Sequence, residues 1–115
     1  MREIRGKKRV RGIISVPGDK SISHRAIILA ALAQGESSIY GLSPARDVCS
    51  TVEAMHSLGI RIHRRIDQTV VEGIGIDGFE GLGNGKIDID CGNSGTTARL
   101  LMGLLSGARV KAVLR

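Results

Sequence analysis

Apolar and polar positions along this chain fall into short blocks whose period switches between two and nearly four. Ile13-Ile14-Ser15-Val16 is β-branched and is stopped by Pro17-Gly18, which predicts a strand ending in a turn. From Ser21 to Ala33 the period becomes helical, with Ile22, Ala26, Leu29 and Ala33 expected on the inner face and Gly35 as the C-terminal stop. Ser37 to Tyr40 is expected to be the next strand. Ser43-Pro44 predicts a second helix, a capping hydroxyl followed by proline at the first helical position. Its inner face would carry Val48, Val52 and Met55, with Leu58 closing the last turn and Gly59 ending it. Ile60 to Arg64 and Gln68 to Glu72 alternate as two strands around a turn near Arg65-Ile66-Asp67. Gly73 to Gly85 shows no helical period and is expected to be a glycine-rich connection. Lys86 to Asp90 predicts a strand, Asn93 to Ser106 an apolar helix stopped at Gly107, and Val110 to Leu114 a last strand.

The order is α/β, and part of it repeats. Ile13 to Ala33 set against Ile87 to Gly107, an offset of 74 residues, aligns Gly18 with Gly92 and Arg25 with Arg99. Each copy runs strand, glycine turn, hydroxyl-bearing helix start, early arginine, aliphatic helix. The implied unit is β-α-β-α-β-β, of which about one and a half would be present. A half unit leaves a strand without neighbours, and Arg115 follows an apolar strand with no cap, so a truncated chain is expected.

Composition narrows the picture. Glycine is 16 of 115 residues, while one Tyr and one Phe are the only aromatics, so the core must be built from Ile, Leu, Val and Ala. Modules that stack single-stranded bases on aromatic faces are disfavoured by that scarcity. Net charge is +6, from 17 basic and 11 acidic residues, which favours phosphate, carboxylate or nucleic-acid partners. No apolar run nears the roughly 18 residues of a membrane span. The basic start has no apolar segment after it, so no secretory signal is expected. Cys49 and Cys91 are expected to be free thiols in a reducing cytoplasm.

Two segments could carry chemistry. In Pro17-Gly18-Asp19-Lys20-Ser21-Ile22-Ser23-His24-Arg25 a glycine turn leads into a helix N-terminus, whose unpaired N–H groups attract anions. Lys20 adds a point charge, Ser21 a hydroxyl and Arg25 a planar fork for phosphate or carboxylate. Spacing alone leaves a capped helix with solvated charges equally open. In Cys91-Gly92-Asn93-Ser94-Gly95-Thr96-Thr97-Ala98-Arg99 a second turn offers the same ingredients: Gly95 permits close approach to the backbone, and Asn93 or Ser94 is expected to cap the helix. Gly73, Gly75 and Gly78 match G-x-G-x-x-G after a strand, but no helix is predicted behind them, so a dinucleotide site is not expected. His56 and His63 are expected at the surface. His24 has no carboxylate or cysteine at ligand spacing. The basic residues Arg2, Arg5, Lys7, Lys8, Arg9 and Arg11 are expected to form a solvated arm beside an anionic cleft, with a grip on RNA as the competing reading.

PGDKSISHRA, followed by GNSGTTARLL and accompanied by the Ser43-Pro44-Ala45-Arg46-Asp47 helix start, resembles the N-terminal part of the 5-enolpyruvylshikimate-3-phosphate synthases (3-phosphoshikimate 1-carboxyvinyltransferases). The related UDP-N-acetylglucosamine enolpyruvyl transferases have lysine-asparagine where this chain has Lys20-Ser21. The resemblance implies an enolpyruvyl transferase fold, an inside-out α/β barrel of repeated β-α-β-α-β-β units. It also implies transfer of the enolpyruvyl group of phosphoenolpyruvate to the 5-hydroxyl of shikimate 3-phosphate, without metal or organic cofactor, in the cytoplasm. Matched by position, Lys20 would touch both substrates and serve catalysis. Ser21 and Arg25 would hold shikimate 3-phosphate, and Asn93, Gly95 and Thr96 would border the phosphoenolpyruvate pocket, where glyphosate competes. Leu100 stands where many members have a proline that influences inhibitor sensitivity. Residues 1–11 would pair with a second domain and 12–115 would form part of the first. The proton-transfer carboxylates and the arginine gripping phosphoenolpyruvate would lie in the remaining C-terminal part of the enzyme, a required partner, so the chain alone would be inert. Neither nucleic acid nor membrane is an implied partner.

Overall fold

A computed structural model describes residues 2–6, 9, 11–82 and 85–115. Within them the chain runs α1 (Lys20–Leu32), β1 (Gln34–Tyr40), α2 (Arg46–Ser57), β2 (Arg61–Arg64), β3 (Gln68–Ile74), α3 (Gly75–Gly81), β4 (Lys86–Ile89), α4 (Gly95–Gly107) and β5 (Lys111–Leu114). The first three strands form an antiparallel sheet in the order β1-β3-β2, and β4 and β5 form a parallel pair bridged by α4. Helices α1 and α2 pack together and on the sheet. Their apolar stripes meet Ile62 and Val71 in a core of aliphatic residues, to which Phe79 adds an aromatic ring.

The α2 stripe is as expected: Val48, Val52 and Met55 are buried, Leu58 closes the last turn, and Gly59 follows with φ +83°. The hairpin between β2 and β3 and the strand–helix–strand ending of the chain also agree with the pattern. The face of α1 does not. Ile22 and Leu29, expected inside, are exposed, while Ser23, His24, Ile27 and Ala31 are buried. Beyond Arg25 the helix is apolar all round, so its period there cannot select a face. The choice falls to polar partners, Thr51 on α2 for His24 and Ser43 in the approach to α2 for Ser23, which draw those side chains into the interior and leave an apolar groove between α1 and α4.

Four boundaries move for local reasons. Residues 13–16 form no strand: Ile13, Ile14 and Val16 are exposed, and an extended segment without a ladder partner has nothing to hold it. Helix α1 ends at Leu32, capped by Ala33 in an extended conformation, so Gly35 belongs to β1 and is not the cap. Helix α2 starts at Arg46. The Ser43 hydroxyl accepts from the Ala45 N–H at 3.3 Å, a turn completed before the helix, so Pro44 precedes the first helical position. Helix α4 includes Gly107, and the left-handed residue beyond it is Arg109, φ 55°, where glycine is the commoner choice.

The glycine-rich connection contains the short helix α3, anchored by buried Phe79. A helix is therefore present at the G-x-G-x-x-G match, but it begins within it: Gly75 and Gly78 lie inside its seven residues and leave no loop to cradle a pyrophosphate. Gly83 and Asn84 of that connection, and Met1, Lys7, Lys8 and Val10 of the basic start, lie outside the described residues.

Gly73 ties α1 to the sheet. It pairs with Gly35 across the ladder, and a Cβ there would stand 2.2 Å from the Ala33 carbonyl oxygen and 2.3 Å from that of Ala30. Both obstacles are backbone, so neither can rotate away. Gly73→Ala is expected to destabilise the fold by about 3 kcal/mol, read as a lower urea midpoint with unchanged slope.

Candidate functional site

Three helix starts converge at one end of the molecule. At α1, the Asp19 carboxylate caps the helix by accepting the Ile22 N–H at 2.7 Å. The Ser23 hydroxyl donates to the Asp19 carbonyl at 2.7 Å and accepts the Ser43 N–H at 3.0 Å, drawing the approach to α2 against the first turn of α1. Lys20 reaches across to Asp47, in the first turn of α2, with Nζ to Oδ2 at 2.9 Å. At α4, Ser94 is the cap, of the two candidates Asn93 and Ser94, and its Oγ accepts the Thr97 N–H at 3.1 Å. The preceding turn is closed by Asp90, which accepts the Gly92 N–H at 2.7 Å. The Thr97 hydroxyl lies 3.3 Å from the Asp47 carbonyl, so α4 starts beside α2 as α1 does.

Behind these starts runs a buried polar chain. His24 Nδ1 lies 2.7 Å from Thr51 Oγ1, Thr51 Oγ1 lies 2.8 Å from Thr97 Oγ1, and Thr97 Oγ1 donates to Ser94 Oγ at 2.7 Å. All four residues are buried, His24, Thr51 and Thr97 completely. Buried hydroxyls and imidazoles are tolerated when hydrogen-bonded, each such bond being worth about 1 kcal/mol net.

The six residues singled out from the sequence lie on the outside of this arrangement. Lys20, Ser21 and Arg25 are exposed on one helix, Asn93 and Gly95 are exposed on the other turn, and Thr96 is half-buried. The two turns, offset by 74 residues in sequence, are joined through α2. Asp47 and Thr97 fall within the quoted motifs but without a role of their own, and Thr51 lies outside them. The available signal was a threonine interrupting the Val48, Val52, Met55 stripe, and a histidine one residue before Arg25 inside an otherwise apolar helix. His56 and His63 are exposed, as expected, and both cysteines are free.

Electrostatics follow from burial and proximity. Loss of water holds the His24 imidazole below its usual range; Asp47 opposes this and Lys20 adds to it. The hydrogen bond and charge of Lys20 hold the Asp47 carboxyl below the ordinary carboxylate value. Burial pushes the Cys91 thiol up, with the Asp90 charge adding to the effect.

Comparison with known proteins agrees with this architecture. A family described as EPSP synthase (3-phosphoshikimate 1-carboxyvinyltransferase) matches residues 4–115. Curated 3-phosphoshikimate 1-carboxyvinyltransferases of Streptococcus pyogenes serotype M1 and serotype M49 (strain NZ131) are each 51% identical over 98 residues, 85% of this chain. A solved EPSP synthase from Acinetobacter baumannii superposes with a TM-score of 0.70 at 34% identity, covering 83% of this chain and 21% of that one. The fold is thus that of the enolpyruvyl transferases. Within that class, the chain belongs to the EPSP synthase family. It spans 22% of the length of the curated relatives it matches.

The neutral state of His24 carries a pH signature. The folded chain holds its proton less tightly than an exposed imidazole, whose usual value is 6.5, so below that value the unfolded chain binds more protons. Stability is then complete above pH 6.5 and declines as pH falls through the folded-state value. Urea midpoints measured from pH 8 to pH 5 should decline in this sense. His24→Asn, which cannot titrate, should flatten the decline.

Proposed function

We propose that this chain forms one wall of the active site of an enzyme that transfers the enolpyruvyl group of phosphoenolpyruvate to the 5-hydroxyl of shikimate 3-phosphate. The hydroxyl oxygen bonds to the enol carbon and phosphate leaves, by addition followed by elimination. One observation carries the reading: two donor-rich turns of a chain in the EPSP synthase family stand side by side, with their chemistry-bearing residues facing solvent. Lys20 is both substrates' shared cation and a stabiliser of charge developing in the transition state. Ser21 and Arg25 hold shikimate 3-phosphate, the guanidinium as a bidentate partner for an anionic oxygen pair. Asn93, Gly95 and Thr96 border the phosphoenolpyruvate pocket with amide, backbone and hydroxyl donors.

In this reading Asp47 holds the Lys20 ammonium at the mouth of the site until a substrate anion shares it. Residues 12–115 belong to the first domain and residues 1–11 reach toward a second, which supplies the proton-transfer carboxylates. The exposed Ile13, Ile14 and Val16 and the open groove between α1 and α4 support further protein covering this chain. No helix among the described residues is long and apolar enough to cross a membrane. The proposed site of action is the cytoplasm, and turnover requires the remainder of the enzyme.

An amide NMR titration tests the binding half of this reading. Shikimate 3-phosphate should shift Lys20, Ser21 and Arg25, and phosphoenolpyruvate should then shift Asn93, Gly95 and Thr96. Lys20→Ala should weaken shikimate 3-phosphate at least about tenfold, the scale of one lost charge-assisted contact. A folded spectrum unmoved by both ligands, with shifts at Arg2 to Arg11 on adding RNA, would reject the proposal.

A further inference from the structure

The polar chain behind the two turns has a direction. Three contacts link four groups, and each hydroxyl has a single proton to place. Thr97 has one proton and two acceptors for it, Ser94 Oγ at 2.7 Å and the Asp47 carbonyl at 3.3 Å; either placement leaves Thr97 Oγ1 to accept from Thr51, and the shorter contact favours Ser94. Thr51 has then used its own proton, so the short contact to His24 is made only if Nδ1 carries a hydrogen and donates it. The other ring nitrogen agrees with this order. Nε2 is buried and has no hydrogen bond among the described residues; with the proton on Nδ1 it is an unused lone pair, a lesser cost than a stranded N–H.

We infer that His24, Thr51 and Thr97 form a proton-ordered positioning chain, running from the imidazole of α1 through α2 to the cap of α4, that fixes the second turn relative to the first. Ser94 Oγ is the end of the chain and also the acceptor that caps α4, so the helix start bearing Gly95 and Thr96 is held from inside the protein. Lys20, Ser21 and Arg25 share their helix with His24, at the other end. The separation between the two turns is therefore set before any ligand arrives, which is the form of preorganisation that a two-anion site needs. The consequence for substrates rests on the function proposed above; the ordering of the chain does not.

The test reads the ring directly. Long-range proton–nitrogen correlation on the ¹⁵N-labelled chain should show His24 neutral with its proton on Nδ1. Thr97→Val keeps the shape but removes the acceptor of the Thr51 proton, freeing Thr51 to donate to the ring. The His24 ring nitrogens should then move toward the Nε2–H form, an effect that packing alone would not produce. Amide exchange at Thr97 and Ala98, whose N–H groups are held by Ser94, should accelerate about tenfold in Thr51→Val, and Thr51→Ser, which restores the hydroxyl, should bring it back. A wild-type ring protonated on Nε2, or ring nitrogens indifferent to Thr97→Val, overturns the inference. If a valine variant does not fold, the wild-type tautomer and the Thr51→Ser exchange pattern decide. With phosphoenolpyruvate as probe, Thr51→Val should raise the half-saturating concentration at Gly95 several-fold and leave the shikimate 3-phosphate response of Ser21 within twofold. A wild-type chain silent to both ligands but showing the Nδ1 proton counts against the substrate reading alone.

Discussion

Helix N-termini carry partial positive charge, and this chain places three of them together, at Lys20, Arg46 and Gly95. Left to themselves such ends repel and their free N–H groups call for water. The rest of the site depends on how that convergence is stabilised. Asp19 and Ser94 each satisfy a backbone donor, Ser23 takes up the Ser43 N–H, and the Asp47 carboxylate sits between the α1 and α2 starts as a counter-charge for Lys20. In the function proposed above, what remains after these local contacts is the surface that receives the substrate anions.

The inner side of the convergence is polar where a core is usually apolar. Replacing His24, Thr51 and Thr97 with aliphatic residues would preserve much of the burial but remove the directional contacts that set spacing between helices. Aliphatic contacts have no preferred direction, whereas a hydrogen bond weakens steeply once its angle falls below about 120° or its length passes about 3.5 Å. A buried hydroxyl chain is thus a stiff ruler among soft contacts. It also makes the core sensitive to protonation, because a charged imidazole would need a second acceptor.

The aliphatic pattern made much of the fold legible. The α2 stripe, the β2–β3 hairpin and the strand–helix–strand ending were readable because each has a clear period and a turn residue at its edge. The α1 face was not, since beyond Arg25 the helix runs Ala26 to Leu32 without a polar residue to mark an outer side. Residues 13–16 have the composition of a strand, but composition supplies no partner. Helix α3 was hidden because its seven residues include three glycines and rest on one buried ring, Phe79. At the site, Lys20, Ser21, Arg25 and the Asn93 to Thr96 turn were visible as polar residues at helix starts. Asp47 and the threonines were not, because a lone polar residue in a helix announces nothing about what it faces.

By itself, then, the sequence determined the class of fold and the chemistry on offer: short-range periodicity and turn residues act within a few positions, and the donor-rich motifs are contiguous. Only the tertiary structure decided which side of α1 turns inward, that the two motifs stand beside one another, and that His24 and Thr51 are linked to Ser94 through Thr97. Those outcomes depend on contacts between residues 27 to 50 positions apart. At that distance the partner is chosen by packing geometry, which no local pattern records.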